Sequence, residues 1–187
     1  YEQLRRLTSD AFLIPKFVLG TSLLPFEQLE AYLGLPFVAK GLESSMGDEI
    51  KLIDTVESYV NLSEEYPTSK EWLFEEYIDT SFGRDMRFYS IRGEVIAAME
   101  RRSAGDFRAN VALGASVRKL DITEEMRIIA RDIYDETGLD FLGIDLLYGK
   151  DKPFFCEINV MPGLEGIEKA SGINVAERII DTIVRDL

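Results

Sequence analysis

Pro153-Phe-Phe-Cys-Glu-Ile-Asn-Val-Met-Pro-Gly-Leu-Glu-Gly166 is the stretch that decides how this chain is read. It is an apolar run interrupted by two oxygen-bearing side chains, Glu157 and Asn159. Just upstream, Phe141-Leu-Gly-Ile-Asp-Leu-Leu-Tyr148 is a second run of strand character. Between them, Gly149-Lys-Asp-Lys-Pro153 has the composition of a hairpin loop. A turn centred on Asp151 pairs Tyr148 with Phe154, and so Asp145 with Glu157. Strand side chains alternate with period two, which puts Asp145, Glu157 and Asn159 on one face. The other face, with Leu142, Ile144, Leu146, Tyr148, Phe154, Cys156, Ile158 and Val160, belongs in a core.

Like charges directly opposite on a sheet destabilise it. Two carboxylates so placed call for a proton, a basic residue or a cation, and magnesium takes oxygen ligands of this kind. The same pattern also describes a solvated polar face on an ordinary hairpin, and the pairing alone leaves both readings open.

Composition narrows the classes. The chain has 187 residues, enough for one large domain or two small ones, and 46% hydrophobic content to fill a core. It starts at Tyr1 rather than Met, as a fragment would. No stretch approaches the ~20 apolar residues of a membrane span, and no signal-peptide pattern is visible. Cys156 is the only cysteine, so an intrachain disulfide is excluded and a cytoplasmic location is expected; the thiol reads as packed rather than catalytic. Histidine is absent, which excludes Ser-His-Asp and Cys-His machinery and His-ligated zinc. A net charge of −13 argues against nucleic acid as a partner.

In chain order, Tyr1 to Leu7 reads as the tail of a helix, and Phe12–Pro15 and Phe17–Leu19 as short extended pieces. Pro25 to Leu33 is a helix ended by Gly34, Leu35 to Lys40 a buried-type strand, and Ile50 to Ile53 another. The small-residue loop between those strands, Gly41 to Gly47, reads as an ordinary hairpin connection or as a phosphate lid, since exposed backbone N–H groups wrap anions; it is no Walker motif. Asp54 to Glu64 reads as a helix and Trp72 to Ile78 as a strand. Met86–Ile91 and Glu94–Met99 form a hairpin about Arg92-Gly93, with Asp85, Arg87 and Tyr89 on one strand face. Thr123 to Thr137 is the clearest helix, Met161 to Lys169 a turn-rich loop, and Asn174 opens a last helix to about Arg185.

Four segments then resemble, in order and spacing, the ATP-grasp ligases, and within them the RimK-like group of ribosomal-protein glutamate ligases and relatives. They are Pro36-Phe-Val-Ala-Lys40; Phe74-Glu-Glu-Tyr-Ile78 with Gly83-Arg-Asp-Met-Arg87; Ile96-Ala-Ala-Met-Glu-Arg-Arg102 with Gly105-Asp-Phe-Arg-Ala-Asn110; and Gly143-Ile-Asp145 with Glu157 to Lys169. The resemblance implies an α+β fold in which two α+β subdomains with antiparallel sheets clamp a nucleotide: residues 1–75 a small subdomain with the lid loop, 76–187 a large one with the metal site. It implies that Lys40 reaches the ATP phosphates, that Ser45 and Gly47 contact the nucleotide from the lid, that Glu76 and Tyr77 lie beside adenine, and that Asp85 holds ribose. Arg108 and Asn110 would approach the phosphates and metals. Asp145, Glu157 and Asn159 would ligate two Mg2+ ions, Glu157 bridging them, with Mn2+ an alternative ion.

The implied reaction joins a carboxylate to an amine through an acyl phosphate, with Arg101 or Arg108 stabilising the transition state. The implied partners are ATP, an amino acid with glutamate favoured, and a peptide or protein carboxylate. Nucleic acid and membrane are not among them, and a homo-oligomer is allowed. A ligase for small peptides or peptide-like natural products is the runner-up. A degenerate nucleotide-binding module without ligase activity is the rival from another class. Two departures stand out: the family carries a further domain ahead of this region, and the lid has Gly47-Asp48-Glu49 where the family keeps Gly-x-Gly. Glu49 is expected to loosen the hold on distal phosphates.

Overall fold

The computed structural model describes residues 2–42 and 49–185. The chain opens with helix α1 (Glu2–Arg6). It then divides into two compact units, one of residues Pro15–Asp79, the other of Glu2–Ile14 together with the chain from Thr80 onward. Residues 2–14 thus pack with the later segment. Gln3 bonds the backbone of Ile158 through both ends of its amide, and Leu13 exchanges backbone bonds with Pro153 and Phe155.

In the first unit, among the described residues, β1 (Phe17–Thr21), β2 (Phe37–Gly41), β3 (Ile50–Ile53) and β4 (Glu71–Glu76) form an antiparallel sheet in the order β1-β4-β2-β3. Helices α2 (Phe26–Leu33) and α3 (Val56–Glu65) complete it. The alternation of β2 and β4 sends Phe37, Ala39, Trp72 and Phe74 into one core with Phe26, Leu29 and Tyr59. Phe37 and Phe74 meet edge to face with centroids 6.1 Å apart, a geometry that adds to area burial. Helix α3 starts where Thr55 and Ser58 cap each other reciprocally. The intervening residues Val38, Lys40, Leu73 and Glu75 point to the opposite face.

In the second unit the strands are β5 (Arg84–Ile91), β6 (Glu94–Arg102), β7 (Ser116–Lys119), β8 (Phe141–Leu147) and β9 (Phe154–Asn159), ordered β7-β6-β5-β8-β9 and all antiparallel. Arg92 and Gly93 both take positive φ, 50° and 76°, as a two-residue hairpin turn matching strand twist requires. Helix α4 (Glu124–Thr137) is capped by Thr123 and closed by Gly138 in the left-handed region. Two short helices, α5 (Glu165–Ser171) and α6 (Val175–Arg185), follow β9. Ile167 and Val175 pack on Tyr89, Ala97 and Met99, closing one end of the sheet face discussed below.

Two local expectations are corrected. Asp145 does face Glu157, but a bulge follows, so Phe154 pairs with Leu147 rather than Tyr148. The extra residue reverses the side-chain parity toward the turn. Phe155, not Phe154 or Cys156, enters the core beside Leu146, and Phe155 meets Phe12 ring to ring at 5.4 Å. The second correction is α5, where a turn-rich loop was expected. Burial of Ile167 and the left-handed Gly172 after its end stabilise a short helix despite the glycines and proline around its start.

Candidate functional site

One row of side chains crosses the whole sheet of the second unit: Lys119, Met99, Arg87, Asp145 and Glu157, each opposite the next. Beside it Asp85 faces Arg101, and Asn159 faces Gly143. All of these lie on one face because directly paired residues on adjacent strands point the same way.

Asp145 is 1% exposed and is gripped by two guanidiniums. Arg87 gives it a parallel fork, Nε to Oδ1 and Nη2 to Oδ2, both at 2.5 Å. Arg101 Nη2 donates to Oδ2 at 2.8 Å. Arg101 also forks onto Asp85 at 2.7 and 2.6 Å. Such bidentate pairs are among the strongest side-chain bonds and fix geometry as well as charge. Burial alone would raise the Asp145 carboxyl; Arg101 and Arg87 outweigh it and hold the group below the usual carboxylate range. At Asp85 burial wins over Arg101 and pushes the carboxyl up to about 6.

Glu157 sits at the rim, half exposed, with Arg87 Nη2 3.7 Å from its Oε1. The Asn159 amide donates to the same oxygen at 2.9 Å. Repulsion between Asp145 and Glu157 is therefore offset from within the protein, by a basic residue placed between them. The donor set fits magnesium in kind: two carboxylates and one amide, all hard oxygen donors on adjacent strands. Among the described residues, no group of three His, Cys, Asp or Glu side chains is placed to hold a metal.

Loops on both sides are seated by close approaches. At Gly83, φ is +61°, and a Cβ there would lie 2.8 Å from the Asp106 carbonyl. Its N–H donates to Phe107 O and its carbonyl accepts from Ser103, pinning the loop that carries Arg108 and Asn110. Arg108 forks onto Asp106, Nη2 to Oδ2 at 2.7 Å. Gly143 leaves room for Pro162, which a Cβ would meet at 2.8 Å, and Tyr89 donates to Gly163 O at 2.6 Å. On the opposite sheet face, the buried Glu100 accepts from Arg118 and from Tyr148, tying β7 to β6.

In the first unit, Lys40 Nζ lies 2.5 Å from Glu75 Oε2, on the face away from the aromatic core. Glu76 is bound to the start of β1: its N–H donates to Lys16 O, and its Oε1 accepts from Lys16 N–H, both at 2.9 Å. The Tyr77 phenol is raised by burial, with Asp79 adding to the effect. Ser45, Gly47 and Asp48 lie outside the described residues. Glu49 is described, and Lys70 Nζ stands 2.7 Å from its Oε1, so its charge is balanced locally.

The site residues expected from sequence thus fall into two groups. Asp85, Arg101, Asp145, Glu157 and Asn159 share one face in the second unit, with Arg108 and Asn110 on the adjoining loop; Lys40, Glu76 and Tyr77 belong to the first. Sequence reasoning left out Arg87 and Glu75. Arg87 had one signal, its place two residues after Asp85 on the same strand face; Glu75 had none beyond an acid beside Glu76.

Known proteins complete the picture. The RimK-like ATP-grasp domain matches residues 11–183. A probable alpha-L-glutamate ligase of Enterobacter sp. (strain 638) is 38% identical over 154 residues, covering 81% of this chain and 51% of the relative. One from Shewanella frigidimarina is also 38% identical, over 82% of this chain and 52% of its own. The chain spans about half the length of these relatives. Among solved structures, the ATP-grasp ligase PsnB complexed with minimal precursor, Mg and ADP aligns over 98% of this chain and 56% of its own, with a TM-score of 0.75 at 18% identity. D-alanine–D-alanine ligase from Bacillus anthracis complexed with ATP aligns over 93% and 60%, with a TM-score of 0.68 at 17% identity. No helix among the described residues is long and apolar enough to cross a membrane. With the family matching residues 11–183 of this chain, and the fold shared with these ligases, the chain belongs to the RimK-like ATP-grasp family.

Proposed function

We propose that this chain is the nucleotide-binding and catalytic part of an ATP-dependent, ADP-forming carboxylate–amine ligase that adds glutamate, or a similar amino acid, to a peptide or protein carboxylate. The observation that carries it is the charged face of the second unit, where Asp145, Glu157 and Asn159 bring hard oxygen donors beside two arginines. The name of the 38% identical relatives favours glutamate as the amine.

In this reading Lys40 holds phosphate oxygens, and Glu76 and Tyr77 present backbone and side chain to the base. Asp145, Glu157 and Asn159 hold magnesium, which when bound neutralises charge on the phosphoryl group being transferred. Arg108 and Asn110 reach the phosphates from their loop. Arg101 donates to Asp85 and to Asp145, so in this arrangement it orients those carboxylates. The acceptor carboxylate attacks the γ-phosphorus, the bond to the β–γ bridging oxygen breaks, and ADP leaves. The amine then attacks the acyl carbon, the carbon–oxygen bond to phosphate breaks, and the amine proton passes to the medium. Catalysis of this kind is mostly positioning and electrostatics, and it needs no histidine.

The test is an assay of ADP release and amide formation with each amino acid against peptides ending in different carboxylates. Glutamate-dependent ADP release matched by amide supports the reading. Nucleotide binding with no amide from any pair would leave a nucleotide-binding module instead.

A further inference from the structure

We propose that Arg87 is a further residue of the metal–nucleotide site: an internal cation with which a divalent ion must compete for Asp145, so that the ion is held only together with the anionic nucleotide. This rests on the reading of the second unit's charged face as that site.

Three observations converge. Both oxygens of Asp145 are taken by the parallel fork of Arg87, with Arg101 adding a third donor. The same Arg87 reaches toward Glu157, so it lies between the two carboxylates that a bridging ion would join. Arg101 is committed to Asp85 as well, which leaves Arg87 as the cation able to give way.

The charge balance of the face points the same way. Within the ion-paired cluster on that face, Asp85, Asp145 and Glu157 against Arg87 and Arg101 leave a net charge of −1. One divalent ion would make this cluster positive while Arg87 claims the same carboxylate, and repulsion between close like charges in a partly dry site is large. Phosphate oxygens restore the balance. They would share the ion's charge and would offer Arg87 an acceptor in place of Asp145. The order of binding is then a property of Arg87 rather than of the carboxylates alone. Removing its charge should create a site that takes metal by itself.

Binding of Mn2+ to the chain, followed by water-proton relaxation, tests this without any turnover. The unaltered chain should hold Mn2+ weakly alone and at least about tenfold more tightly with ADP present. Arg87→Met keeps the bulk and removes the charge, and should tighten Mn2+ binding without ADP by at least about tenfold. Arg87→Lys keeps the charge and should stay close to the unaltered chain. If Arg87→Met is folded by circular dichroism and gains no affinity for Mn2+, while the unaltered chain binds Mn2+ with ADP, the proposal is overturned and the functional reading stands. If the unaltered chain binds Mn2+ equally well with and without ADP, the proposal is likewise overturned; that arm decides the matter even where Arg87→Met does not fold. If the unaltered chain takes up no Mn2+ even with ADP, the functional reading itself fails and this proposal with it.

Discussion

The two units bury charge in opposite ways. In the first, a lysine that the family reading assigns to phosphate is held by the protein's own anion, Glu75. In the second, an aspartate assigned to metal is held by the protein's own cations, Arg87 and Arg101. The first, Lys40 against Glu75, is partly open to solvent on the lysine side. The second is a closed quartet, Asp85–Arg101–Asp145–Arg87, with Asp145 shut away from water. Each candidate ligand therefore competes with an internal group of its own sign. The quartet has more to lose from any single deletion, because a buried charge stripped of its partner cannot turn to water.

The largest effect should follow from Asp145→Ala, which leaves Arg87 and Arg101 facing each other across the vacated carboxylate. A loss of about 3–5 kcal/mol is expected, read as a shift in urea midpoint. A change under about 1 kcal/mol would show that water reaches the quartet freely and the contrast between the units is false. Glu75→Gln should cost less, about 1–3 kcal/mol, since Lys40 can still reach solvent. The same variant should tighten ADP binding in calorimetry, because the competing anion has lost its charge; unchanged or weaker binding would remove Lys40 from the phosphate site.

The smallest effect concerns asymmetry within the quartet. The Asp85 carboxyl is raised by burial to about 6, so between its unfolded value and pH 6 the folded state binds the extra proton. Its contribution to stability is present at low pH and falls as pH rises through that window, then stays level. Asp145 behaves oppositely: its pKa is lowered by the arginines despite burial, and its contribution is lost as pH falls below the ordinary carboxylate range. Urea midpoints across pH 4 to 7 for the unaltered chain and Asp85→Asn should differ by an amount that changes between about 4 and 6 and is level above. Parallel curves throughout would mean that Asp85 titrates alike in both states.

How much of this could be read from sequence follows from the range of each signal. The facing of Asp145 and Glu157 was legible because a short loop fixes a hairpin and side chains alternate. The bulge beside it was not, because nothing local marks Cys156 as the extra residue. Arg87 lies 58 positions from Asp145. Their meeting depends on β5 lying between β6 and β8, a choice of topology that no short-range pattern encodes. The same holds for residues 2–14, whose bonds to Pro153, Phe155 and Ile158 span most of the chain. Helix α5 escaped because Pro162, Gly163 and Gly166 punctuate the stretch as a loop, whereas burial of Ile167 decides its fold.

We propose that the charged face of the second unit holds the nucleotide together with its metal. Calorimetric titration of ADP into the chain, with Mg2+ and with chelator, and then into Glu157→Gln, tests it most directly. Glu157 is half exposed and its loss should leave the fold intact, so a change in binding reports the site. Binding is expected with Mg2+ and should weaken at least about tenfold in chelator and in Glu157→Gln. Equal affinity in all three titrations would contradict it.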